Sequence, residues 1–265
     1  MSPRFTAPRY TVLMASLPPL GGLFEAGTPA ISLLKLQSRL SLLHPDDRHT
    51  LDLIVGLLAQ SVRDDDSLAG PADARVLQAA QGFFQEVSNP TLRELVAQRL
   101  DLRTILAALR RRHRGEEEPP IGQAWGFGPW VATIERRWKQ PAFGLEVVFP
   151  WIPEVSRLLE SGDLVALERS LFQVIWNGLE RLSFGHRFDF EAVVIYVARW
   201  ALVDRWSHYD AQEAQQRFGE LVKAALEGVA IGAGVPSPVA SPQQPPPPVP
   251  ASAPESAQQP VAAGR

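Results

Sequence analysis

A chain of 265 residues, 45% of them hydrophobic, can bury one good-sized core or two smaller ones. It has no cysteine, which excludes disulfides, thiolate metal sites and a thiol nucleophile and fits a reducing compartment. The net charge of −3 is spread along the chain, so nucleic acid is not the default partner.

Residues 1–9 read as a flexible N-terminus. The apolar run Val12 to Leu17 is too short for a signal peptide and is closed by Pro18-Pro19. Tyr10 to Leu17 is β-capable, as is Leu145 to Phe149, but neither has an obvious partner strand. Pro29 to Leu43 carries leucines at 33, 36, 40 and 43, a helical stripe that His44-Pro45 ends. Asp46 and Asp47 then stand at the positive end of a helix over 48–63, and Asp64 to Pro71 reads as a loop. Helices follow over 72–87 and 89–114, the second opened by Asn89-Pro90, a capping residue followed by a first-turn proline. Glu116 to Gly128 is a polar, glycine-rich connection and the place where the body would subdivide.

Trp130 to Lys139 reads as a short helix. Two more follow, over 153–160 and 163–184, split by Ser161-Gly162, with Asp163 as cap. From Phe188 to Val222 apolar residues recur at helical spacing, among them Val193, Val197, Trp200, Trp206 and Phe218. A straight helix of that length would span roughly 50 Å; the alternative is a break near Ser207–Asp210, where short polar side chains compete for backbone hydrogen bonds. Beyond Glu227 only Glu255 and Arg265 are charged, and Pro245 to Pro248 are consecutive. Residues 231–265 therefore read as a disordered tail, able at most to offer a weak proline-rich ligand. The fold class is all-α: a helical body over 10–230 with that tail. No window reaches the roughly 18 apolar residues of a membrane span.

The polar constellations do not add up to an active site. Gly21-Gly22 and Gly126-Phe127-Gly128 lack the phosphate-loop pattern, and neither G-x-S-x-G nor H-E-x-x-H occurs. His44 and His49 do not share a helical face, and Asp64-Asp65-Asp66 lacks the ligand alternation of a calcium loop. No metal and no cofactor is expected. Two features remain as candidate partner contacts. Arg110, Arg111, Arg112 and Arg114 either form an anion-seeking patch or complement a helix C-terminus. Trp125, Phe127 and Trp130 sit in a Gly/Pro-rich connection, so their loop either folds back on the core or meets a partner. Trp176, Trp200 and Trp206, at helical spacing, are expected in the core.

Three segments resemble a known family. YTVLMASLPPL at Tyr10–Leu20 resembles the N-terminal signature of a bacterial family of unknown function whose genes lie beside V-type ATPase genes. LRELVAQRLDLRTILAALRRRHRG, residues 92–115, is similar to a stretch of the V-type ATPase C subunit (d in eukaryotes). There an Asp-Leu turn leads into a helix ending in arginines and glycine, here Asp101, Leu102, Ile105, Leu109, Arg110, Arg112 and Gly115. Phe188 to Phe218 resembles the bacterial family's closing helix. One departure bears on the architecture: where later C-subunit repeats carry a Glu-x-Glu-Ile-x-Asn-like helix, this chain reads Val197 to Asp204 as VARWALVD.

The resemblance implies an elongated, non-catalytic adaptor between the soluble rotor shaft and the membrane rotor ring of a rotary ATPase. Such a subunit would be cytoplasmic and held at the inner membrane through its protein partners. The alternatives are a transient accessory or assembly factor of that complex, and an enzyme whose helices converge polar groups on an apolar pocket.

Overall fold

A computed structural model describes residues 9–25, 27–63, 71–119 and 125–208, with backbone only at 59–63 and 71–74. These residues lie within one unit, Met1–Gln215. They form helices α1 (Thr11–Ala15), α2 (Leu33–Leu40), α3 (Pro45–Arg63), α4 (Pro71–Glu86), α5 (Pro90–His113), α6 (Val131–Arg136), α7 (Ile152–Ser161) and α8 (Leu164–Leu182). A ninth, α9, occupies 190–208, and there is no strand among the described residues. None of these helices is long and apolar enough to cross a membrane.

Local chemistry accounts for most of the boundaries. Asn89 Oδ1 accepts the Leu92 N–H at 3.1 Å and Pro90 occupies the first turn of α5. Asp163 Oδ1 accepts the Ala166 N–H at 3.0 Å, and Asp189 Oδ1 accepts the Ala192 N–H at 3.0 Å. Gly162 ends α7 in the left-handed region, φ 70°, which a residue without Cβ adopts at no steric cost.

Two β-capable segments are not strands. Tyr10 to Leu17 forms α1 and a turn, and Leu145 to Phe149 is a turn in which Phe149 N–H reaches Leu145 C=O at 2.8 Å. An isolated apolar run with no edge to pair with satisfies its backbone locally instead. Helix α2 begins at Leu33 and not at Pro29, and Trp176 is only half-buried against the core. The loop at 64–70, the tail and the closing helix beyond 208 lie outside the described residues.

Two apolar clusters share helices α5 and α8. The first holds Leu13, Leu36, Leu51, Ile54, Phe83 and α9 against the N-terminal half of α5. The second gathers Ile134, Trp138, Phe143, Ile152 and Val155 around Ile105, Ala108 and Leu109 in the C-terminal half of α5. Helix α8 likewise gives Leu167 to the second cluster and Phe172 and Leu179 to the first. In its C-terminal half α5 buries Thr104, Ile105, Leu106, Ala108, Leu109 and Arg111, more than one face, and is the central helix.

Helix α9 closes the first cluster by holding the N-terminal segment. Tyr196 Oη donates to Pro18 C=O at 2.8 Å and the Trp200 indole N–H to Ile31 C=O at 2.8 Å. Tyr10 N–H reaches Phe188 C=O at 2.8 Å, and the Tyr10 hydroxyl bonds Asp47 on α3.

Candidate functional site

The arginines at the end of α5 are engaged within the chain. Arg111 is buried and pairs with Glu116 at 3.1 Å, which Arg114 also reaches at 3.0 Å. Both guanidiniums hold the Glu116 carboxyl below the usual range. Arg112 donates to the carbonyls of Gln140 and Pro141 and lies over the Phe143 ring, 4.8 Å from its centroid. Arg110 is half-buried, and desolvation lowers its pKa. Arg111, Arg112 and Arg114 thus clamp the segment after α5.

The loop aromatics fold back on the chain. Trp125 is buried, donates its indole N–H to Glu135 at 3.1 Å and meets Trp138 edge-on. Phe127 stacks on Phe84 at 5.5 Å, and its backbone is held on both sides by Thr104 Oγ1, at 2.9 and 3.1 Å. A Cβ on Gly126 would come within 2.6 Å of Thr104 Cγ2, so only glycine lets the loop approach so closely. Trp130 donates its indole N–H to Asp101 at 3.2 Å.

His186, Asp189 and Glu191 bring ligand-type atoms within 4.8 Å of one another. Each has a structural task. His186 contacts Asp189 at 2.7 Å and Thr91 at 3.3 Å, Asp189 caps α9, and Glu191 accepts the Asn89 amide N–H at 2.7 Å. The cluster ties the starts of α5 and α9 together.

What the sequence did not reveal is a cavity of about 790 Å³ bounded by α3, α5, α8, α9 and residues 148–151. That volume lies in the roughly 300–1,000 Å³ range of small-molecule sites. Its walls are largely apolar, but α5 gives it polar edges. At about 100° per residue, Leu95, Gln98 and Leu102 form the middle of the stripe facing the cavity. Glu94 and Asp101 fall on one side of that stripe and Arg99 on the other, next to Arg103 one turn on. Sequence periodicity could have shown this split, but not which face of a helix buried on several sides would meet a cavity.

The two edges are electrostatically distinct. Burial raises the Asp101 carboxyl to about 6, with the Trp130 bond opposing and the Glu94 charge adding to the shift. On the other edge desolvation pushes Arg99 down to about 10, reinforced by the like charges of Arg205 and Arg103. Arg205 has its own counter-charge in Glu168 at 3.4 Å.

The Asp101 shift has a sign that can be tested. The folded chain binds this proton more tightly than the unfolded chain, whose Asp titrates near 3.8. Stability that is fully present below pH 3.8 is therefore lost as the pH rises through about 6. Asp101→Asn keeps an acceptor for Trp130 and removes the buried charge. Its melting temperature relative to wild type should rise from pH 5 to pH 8; a constant difference across that range would contradict the assignment.

An all-α body with a largely apolar cavity edged by charged side chains defines the class. Residues 75–229, more than half of the chain, match the family described as "Protein of unknown function (DUF2764)", and the chain belongs to that family. No curated protein and no solved structure matches it.

Proposed function

We propose that the protein is a non-catalytic interaction subunit of a V-type rotary ATPase, a central-stalk adaptor between the soluble rotor shaft and the membrane ring. The observation that carries an interaction role is its exposed apolar surface. Phe184, Val147, Leu34 and Val12 stand 92%, 89%, 77% and 76% exposed, at turns and on short helices. Large apolar side chains in solvent are favoured where a partner covers them. The choice of the rotary ATPase as partner rests on the sequence resemblance at residues 10–20, 92–115 and 188–218. In this reading the protein is cytoplasmic and reaches the inner membrane through its partners.

Charge reversal of Arg111 or Arg112 is a poor test, because both hold the segment after α5 and their loss would disturb folding. The better test is to purify the tagged native protein from detergent-solubilised membranes and identify what accompanies it. Stoichiometric ATPase subunits are expected, with co-purification weakened in Phe184→Ser and Val147→Ser at unchanged melting temperature. Substoichiometric association that washes away would indicate an assembly factor. An intact ATPase from which the protein is absent would overturn the reading.

A further inference from the structure

We propose that the cavity between α5, α8 and α9 binds an amphiphilic anion, its apolar chain along Leu95, Leu102, Ile175 and Val194 and its carboxylate or phosphate on Arg99. Arg99 lines the cavity, yet among the described residues no carboxylate and no hydrogen-bond acceptor meets its guanidinium. Arg99 is half-buried at the edge of this apolar wall, and a guanidinium carries five N–H donors and stays charged, so it offers an anionic ligand a charge-assisted anchor beside the apolar surface. The neighbouring cations do not compensate it: Arg205 and Arg103 add positive charge at the same edge, and Glu168 already answers Arg205. Arg205 is further fixed by lying over the Phe172 ring at 5.3 Å.

The opposite edge sets the ligand's direction. Glu94 and Asp101 repel an anionic head there, and Asp101 already accepts from Trp130 while Glu94 accepts the Gln98 amide at 2.8 Å. The head therefore sits on the Arg99 edge, and the chain lies on the leucine stripe. A small polar anion would leave most of the apolar wall uncovered, so the complementary ligand is long and apolar with one anionic end. This inference is independent of the ATPase reading, and either can fail alone.

The purified full-length protein is titrated with a fluorescent long-chain fatty acid, followed by competition with palmitate, lysophosphatidic acid and hexadecanol. Saturable one-to-one binding is expected, displaced by palmitate or lysophosphatidic acid; the stronger competitor identifies the head as carboxylate or phosphate. Arg99→Met should weaken binding about tenfold or more, and Arg99→Lys should recover part of it. Without ligand, Arg99→Met should melt no lower than wild type, because it removes a half-buried charge that no carboxylate among the described residues answers. Ala198→Phe, which fills the cavity from α9, should also abolish binding. Absence of saturable binding, unchanged affinity in Arg99→Met, equal competition by hexadecanol, or a markedly lower melting temperature of ligand-free Arg99→Met would each overturn the proposal.

Discussion

Phe143→Ala is expected to lower the melting temperature by about 10 °C, from a loss of about 3–5 kcal/mol. Phe143 is fully buried at the centre of the second cluster, with its ring 5.8 Å from that of Trp138 and beneath the Arg112 guanidinium. Its truncation leaves a cavity and removes the surface on which Arg112 rests, while that arginine still holds the carbonyls of Gln140 and Pro141. Phe143 also adopts φ 55°, a left-handed conformation that non-glycine residues rarely take. Alanine keeps that strain and glycine relieves it. Phe143→Gly should therefore melt no lower than Phe143→Ala, although it removes one more carbon. A fall of less than about 3 °C for Phe143→Ala in thermal denaturation would show that the cluster repacks and that the ring is dispensable.

The second large effect is at the junction of α5 and α9. Asn89 caps α5 through its carbonyl oxygen and donates its amide to Glu191, which sits in the first turn of α9. Asn89→Ala removes the cap, worth about 1 kcal/mol, and leaves a half-buried carboxylate short of a donor, at about 1–3 kcal/mol. The expected total is about 2–4 kcal/mol, read as a shift in the denaturation midpoint. Asn89→Asp separates the two parts, because it keeps the cap acceptor but sets a second carboxylate against Glu191. A double-mutant cycle between Asn89→Ala and Glu191→Ala should return a coupling of about 1–2 kcal/mol. No coupling would mean that the two helix starts are held by other contacts, His186 to Thr91 among them.

Several elements are legible in the sequence. Asn89-Pro90, Asp163 and Ser161-Gly162 mark helix ends through chemistry that needs only neighbouring residues, and the structure uses all three as read. The cationic end of α5 was equally visible, since Arg110 to His113 fall in its last turn. Tyr10–Leu17 and Leu145–Phe149 leave helix and strand open in sequence, and they form a short helix and turns because a strand requires a partner edge, and none lies among the described residues. The Trp125–Trp130 loop allowed two outcomes in sequence. The fold turned it inward through Thr104 and Asp101, residues some twenty to thirty positions earlier.

The cavity belongs to the same category. Arg99, Arg205 and Glu168 stand on three helices, and their relation to one another is set by how α5, α8 and α9 pack. By itself, then, the sequence determined the all-α class, the caps and most helix limits, because these depend on periodicity and on contacts a few residues apart. The tertiary structure alone decided that α5 is central, that Arg111, Arg112 and Arg114 clamp their own chain, and that Arg99 lines a largely apolar cavity. Those outcomes depend on contacts between residues distant in sequence, which local pattern does not encode.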